Sequence, residues 1–220
     1  MYNTIYDFIT GPLVWVSLLI LVLGLIGKFI YLTNMAKKRD PWVFNYLSKK
    51  HALRSIVMWL IPFAATNQRL NPVMTIVTYI FHICLILVPI FALAHVIMWE
   101  RAWGISWWTL PETAAVIMTF LVLGGIVFFI VRRIVLPEAR YVTRFQDFLI
   151  LILVALPYLT GLLAYYQIFD YQTMIVLHIL AGHAMLIAIP FTWLSHLLQF
   201  FMTRSYVGSE FGYVRHVKDW

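Results

Sequence analysis

The sequence predicts an all-α membrane protein with five transmembrane helices, and three observations carry that prediction. Hydrophobic residues make up 63% of the 220 residues and charged residues 11%, with a mean hydropathy of +0.87, well outside the usual range of a soluble domain. The apolar residues gather into five runs, at about 11–33, 73–99, 112–131, 147–167 and 174–202, each long enough to cross about 30 Å of hydrocarbon as a helix. The third observation is where the cations fall. Lys37, Lys38, Arg39, Lys49, Lys50, Arg54 and Arg69 follow the first run, Arg132, Arg133, Arg140 and Arg144 follow the third, and Arg204, Arg215 and Lys218 follow the fifth. A five-span chain puts all of these on one side, which the positive-inside rule makes the cytoplasm, with the N-terminus outside and the C-terminus inside.

Taken in order, the first run is too long for the apolar core of a signal peptide and has no small-residue cleavage site, so it reads as a retained span. Lys28 can snorkel inward from it. The stretch 51–66, "HALRSIVMWLIPFAAT", is short, holds Pro62 and follows a basic segment, and is expected to lie in the interface as an amphipathic helix. The second run, "FHICLILVPIFALAH", carries His82 and His95 on either side of Pro89. The outer loop after it holds Arg101 and the tryptophans Trp99, Trp103, Trp107 and Trp108, which suit an aromatic belt better than a substrate site. The third and fourth runs flank the inner loop "RRIVLPEARYVTRFQD". The fifth, "VLHILAGHAMLIAIPFTWLSHLLQF", carries His178, His183 and His196. No internal repeat or soluble segment is visible, and the chain reads as a single membrane domain over 1–220.

Composition also excludes. The one cysteine, Cys84, allows no intrachain disulfide, cysteine-ligated iron–sulfur cluster or CxxCH haem attachment. A net charge of +7 can mean nucleic acid, but that needs a basic face on a soluble domain. Here the cations sit beside membrane spans, so no nucleic-acid partner is expected.

Of seven histidines, His51 and His216 lie in basic polar segments, whereas His82, His95, His178, His183 and His196 lie in the second and fifth runs. Ionisable side chains there are costly and mark functional sites. Antiparallel spans put His82 level with His196 towards the inner face, and His95 level with His178 or His183 towards the outer face. Two imidazoles facing each other at one depth suit the axial positions of a b-type haem, so two tiers imply two haems. On one continuous helix His178 and His196 are about 27 Å apart on the same face, whereas His82 and His95 are about 20 Å apart and nominally some 140° out of phase. His183 matches the thirteen-residue interval of the second run but points about 140° from the other two, so spacing and phase leave His178 and His183 as alternatives. Hydrogen bonding across the bundle is the bland reading of any one histidine. A haem-free, histidine-lined metal or ion transporter is the other functional class, although hard or borderline cations usually recruit carboxylates, which these runs lack between their ends.

Three stretches give the chain a family resemblance. "RRIVLPEARYVTRFQDFLIL", with paired basic residues, Pro137, Arg140, Thr143 and Asp147, "LHILAGHAMLIAIPFTWLSHL", with Pro190 and Phe191 between two histidines, and "FHICLIL" resemble the membrane cytochrome b (gamma) subunit of respiratory nitrate reductase and its relatives in the redox complexes of sulfate reducers. The likeness covers most of the chain. It implies a dihaem cytochrome b bundle in which His82 and His196 hold the inner haem b and His178, rather than His183, is one ligand of the outer haem b. Those members place their fourth ligand where this chain has Ala92, and His95 is the histidine in reach one turn further out.

The resemblance further implies electron exchange between menaquinone and an iron–sulfur subunit on the cytoplasmic side of a bacterial or archaeal cytoplasmic membrane, with outer-face cytochrome or anchor subunits as further partners. The basic inner loop and the tail "SYVGSEFGYVRHVKDW" are the expected docking surface. The lysine that nitrate reductase members carry near the outer start of helix three is missing from "PETAAVIMTF". Candidate proton acceptors for quinol are therefore chosen by position: Glu100 and Glu112 first, then Asp170 and a non-ligating His183.

Overall fold

The structure is a computed structural model that describes the backbone of residues 2–220 and the side chains of residues 4–220. Those residues are 82% helical and include no strand. Five helices are long and apolar enough to cross a membrane: Thr4–Arg39, Pro72–Phe91, Glu112–Val135, Phe145–Tyr165 and Tyr171–Ala188. The first joins α1 (Tyr2–Thr10) to α2 (Pro12–Arg39) across Gly11. On α2 the buried residue is Ser17, while Leu19, Leu23, Ile26 and Ile30 are exposed. A polar residue inside and leucine outside is the reverse of a soluble helix and suits a hydrocarbon surround.

After a 3-10 turn, Pro41–Asn45, come α3 (Lys49–Leu60) and α4 (Thr66–Leu70). The interfacial helix expected at 51–66 thus starts at Lys49 and stops at Leu60, two residues before Pro62, whose missing N–H ends an α-helix. Then follow α5 (Pro72–Phe91), α6 (Leu93–Trp103), α7 (Glu112–Val135), α8 (Pro137–Val142), α9 (Phe145–Tyr165), α10 (Tyr171–Ala188) and α11 (His196–Val207), with a π-helical segment, Gly208–Val214, after them.

Two expected spans are corrected. The run 73–99 divides at Ala92, whose extended backbone (φ −65°, ψ 133°) separates α5 from α6. The run 174–202 divides more widely, because Pro190 has neither the N–H nor the clearance to continue α10. The chain turns there, with Phe191 and Thr192 both donating to the Ala188 carbonyl, and a 3-10 turn, Trp193–Ser195, leads into α11. The inference that five whole turns put His178 and His196 on one face assumed an unbroken helix, and it does not hold.

The chain forms two compact units, one holding the chain up to Thr75 together with His183–Trp220, the other Ile76–Gly182. In the first, α3 packs on α11 and on the π-helical segment. The backbones touch: a Cβ on Gly208 would lie 2.5 Å from the Ser55 Cβ and 2.6 Å from the His51 carbonyl oxygen. The Ser48 N–H donates to the Ser209 hydroxyl at 3.1 Å, and Ser55 and Trp59 donate to the carboxylate and carbonyl of Asp219. The tail is therefore folded onto α3. In this unit α2 also meets the break after α10, where a Cβ on Gly24 would fall 2.7 Å from the Pro190 ring.

In the second unit α7 packs on α9, and the Phe81 ring fills the notch at Gly125, where a Cβ would be 2.9 Å from it. The segment between α7 and α9 ties itself together. Asp147 accepts the Arg144 N–H at 2.8 Å and pairs with Arg133 at 3.6 Å, while Arg133 also donates to the Thr143 hydroxyl at 3.1 Å. Thr143 and Asp147 thus hold the loop against the end of α7.

Candidate haem-ligating site

The site in the second unit starts from two prolines. Pro89 has no N–H to give to the Leu85 carbonyl one turn back, and the Tyr158 hydroxyl on α9 donates to that carbonyl instead, at 2.6 Å. The break at Ala92 then leaves the last carbonyls of α5 in need of partners, and each has one. Ala92 N–H donates to Val88 at 2.9 Å and Leu110 N–H to Phe91 at 2.8 Å. The Trp107 indole donates to Ile90 at 2.9 Å, and the His95 ring donates through Nδ1 to Pro89, also at 2.9 Å. One of the belt tryptophans is therefore a helix cap as well.

His178 is held in the same way from α10. Its Nδ1 donates to the carbonyl of Pro157 on α9 at 2.8 Å. The ring reaches that carbonyl past Gly161, one turn along α9, where a Cβ would sit 3.1 Å from both Cε1 and Nδ1 of the imidazole. That is tighter than a methyl group tolerates beside a fixed ring.

The two rings meet as parallel plates, with centroids 5.8 Å apart and planes within 6°. A carbonyl oxygen only accepts, so each Nδ1 carries the proton and each Nε2 of the neutral ring keeps its lone pair. A second hydrogen bond of this kind is what fixes the tautomer of a metal-ligating histidine. Each ring thus has the protonation of a metal-ligating imidazole.

His82 shows the same pattern, its Nδ1 donating to the Thr78 carbonyl one turn back at 2.8 Å, with the Phe81 ring edge-on at 5.1 Å. The Thr78 hydroxyl is buried and has no hydrogen-bond partner. His196, the first residue of α11, donates through Nδ1 to the Trp193 carbonyl at 2.9 Å. His82 and His196 belong to different compact units.

His183 differs from His95 and His178. It is buried, its Nε2 donates to the Ile9 carbonyl at 2.8 Å, and its Nδ1 meets the Ser17 hydroxyl at 2.9 Å. Both ring nitrogens are thus engaged, by α1 and α2.

The expected proton acceptors divide. Glu100 is an exposed residue of α6. Glu112 opens α7 and shares a hydrogen bond with the Tyr165 hydroxyl at the end of α9. Asp170 caps α10: its carboxylate accepts from the Thr173 N–H at 2.8 Å and hydroxyl at 2.7 Å, and these bonds hold its pKa below the usual carboxylate range.

Sequence reasoning passed over Pro157, Gly161, Tyr158 and Ser17. The segment "PYLTG" carried a usable signal, since a proline four residues before a glycine in a span opens a notch beside carbonyls that have lost or loosened their usual donors.

No family model matches the chain, and no solved structure is similar to it. A protein of Nitratidesulfovibrio vulgaris (strain Hildenborough) is 36% identical over 214 residues, which cover 96% of this chain and 95% of that protein. A likeness that runs from end to end fixes kinship rather than activity, and the chain belongs to the same family as that Nitratidesulfovibrio vulgaris protein.

Proposed function

We propose that the protein is a dihaem cytochrome b that passes electrons between menaquinone in the bilayer and an iron–sulfur subunit at its cytoplasmic face. The observation that carries this reading is the His95 and His178 pair, two parallel imidazoles 5.8 Å apart whose Nδ1 protons are committed to the carbonyls of Pro89 and Pro157. His95 and His178 would hold the outer haem, and His82 and His196 the inner one. The bound groups supply one-electron redox steps and shorten the path across the hydrocarbon.

The chain's own residues have separate tasks. The proline carbonyls fix the Nδ1–H tautomer and the orientation of both rings, which leaves Nε2 as the ligating nitrogen. Tyr158 and Trp107 hold the broken end of α5 that aims His95. Gly161 keeps the space His178 needs. Glu112, at the outer start of α7 under the proposed topology, is placed to accept a quinol proton, with Tyr165 orienting its carboxylate. A bare cation is a poorer occupant. Two imidazoles leave most of its coordination positions open, and among the described residues no three His, Cys, Asp or Glu side chains converge. A porphyrin brings its own four nitrogens.

The test is reduction by menaquinol. Purified protein mixed with a menaquinol analogue is expected to develop the reduced absorption bands of b haems, more slowly in Glu112→Gln with both haems retained. A haem-containing sample that the analogue leaves oxidised would remove quinol from the account.

A further inference from the structure

Where the C-terminal tail folds back beside α4 it leaves a cleft of about 500 Å³, lined among others by Trp59, Thr66, Asn67, Leu70, Arg204 and Lys218. Its accessible polar groups are donors. Thr66 Oγ1 accepts from Arg69 at 3.0 Å, which leaves the hydroxyl proton to give. Asn67 accepts from Asn71 through Oδ1 at 3.1 Å, which leaves its amide N–H groups. Both residues are exposed, as is Lys218, and the Arg204 guanidinium stacks 4.3 Å from the Trp59 ring.

The one carboxylate side chain on the cleft wall, Asp219, does not take these donors. It is only 2% exposed. Its Oδ1 is buried, and its Oδ2 receives the Ser55 hydroxyl and lies 3.6 Å from Arg204, so Arg204 neutralises it. The charge left over belongs to Lys218, Arg69 and Arg54, none of which pairs with a carboxylate among the described residues. Arg54 reaches the cleft by stacking 4.6 Å from the ring of Trp220, another of its lining residues. Uncommitted donors and net positive charge together select an anion.

The apolar side decides what kind of anion. Leu70 is 74% exposed and Val73 62%, and only Asn71 separates Leu70 from Pro72, where the membrane-length helix α5 begins. This edge of the cleft therefore lies where α5 enters hydrocarbon, the depth of lipid headgroups. We propose that the cleft binds an anionic phospholipid of the phosphatidylglycerol type. Lys218, Thr66 and Asn67 hold its phosphate, and its acyl chains leave along Leu70 and Val73. The lipid fastens the tail and α4 to the leaflet, and the site does not depend on the haem reading.

The test is lipid binding by the delipidated full chain in detergent micelles, read by native mass spectrometry. Phosphatidylglycerol is expected to bind about tenfold more tightly than phosphatidylcholine of the same acyl chains, whose choline cancels the phosphate charge. Lys218→Gln should weaken phosphatidylglycerol about fivefold, the effect of one cation at a lipid surface, and leave phosphatidylcholine nearly as before. Lys38→Gln removes the same charge from an exposed position on α2 and should change neither lipid. Equal binding of the two lipids would overturn the assignment. So would a preference that Lys218→Gln leaves intact, or one that Lys38→Gln reduces as much, which would mean a diffuse basic surface rather than a site. Soluble glycerophosphoglycerol is expected to compete poorly, and competition as strong as that by the lipid would make the ligand a free phosphate ester and overturn the lipid assignment.

Discussion

Two histidines five residues apart on α10 do opposite things, and the difference lies in what each ring nitrogen touches. His178 gives one nitrogen to the Pro157 carbonyl and keeps the other as a base. His183 spends both, on Ile9 and Ser17. Removing them should separate haem from stability. His178→Ala is expected to remove the outer haem and leave the inner one, with a folding cost near 1 kcal/mol for one lost hydrogen bond. His183→Ala is expected to keep both haems yet cost about 1–3 kcal/mol, because it strands the buried Ile9 carbonyl, while Ser17 keeps its bond to the Val14 carbonyl. Haem content and thermal melting of the two variants check this, and an exchange of the two phenotypes would make His183 the ligand. Gly161 offers a finer probe. In Gly161→Ala the new methyl would lie 3.1 Å from the His178 ring, so overpacking of about 1–3 kcal/mol is expected. Because the strained contact is the ligand itself, the spectrum of the outer haem should change before that of the inner one.

At the scale of the element, three prolines inside apolar runs have three outcomes. Pro157 leaves α9 continuous from Phe145 to Tyr165, Pro89 is followed by a break three residues on, and Pro190 stops α10 outright. What differs is the fate of the backbone groups each one disturbs. The Pro89 break is stabilised because Tyr158, His95 and Trp107 supply donors from outside the helix. Pro89→Ala restores the N–H that Leu85 lacks and lets α5 compete to continue past Ala92. The expected outcome is loss of the outer haem without loss of helical circular dichroism, and an outer haem bound as in the unaltered protein would show that the break does not depend on the proline.

The other end of α10, which carries His178, depends on a carboxylate. Asp170 has its pKa depressed by Thr173, so its contribution to stability is complete above the ordinary carboxylate value of about 4. It fades as pH falls through the lower folded value. Acid should therefore fray the start of α10, and Asp170→Asn should flatten the limb of a melting-temperature profile below about pH 4. An unchanged acid limb would mean that other carboxylates carry it.

Across the whole molecule, the number and placement of the long helices were legible because crossing hydrocarbon imposes a length and a composition that few other segments meet. The meeting of His95 and His178 was legible, since a neutral imidazole is a costly guest in hydrocarbon and therefore a conspicuous one. Helical phase was not legible. The angles computed for His82, His95, His178 and His196 assumed straight helices, and the intervals 82–95 and 178–196 each contain a break, at Ala92 and at Pro190. A break is decided by partners distant in sequence: Tyr158 lies 73 residues from the carbonyl it caps, and Trp107 lies 17 from its own. The conformation of the tail was not legible for the same reason: Ser55, Trp59 and Arg204 hold its last residues against α3 and α11. The docking surface expected for an iron–sulfur subunit would consequently present the tail as a fixed face that includes Arg215 and Lys218, both exposed.

The central claim is that these histidines hold two b haems, and the haem content of the purified full chain tests it most directly. A pyridine haemochrome assay against protein concentration is predicted to give two haems b per chain, falling to one in His178→Ala. A ratio near zero in the unaltered protein, isolated from cells supplied with haem, would contradict the account at its base.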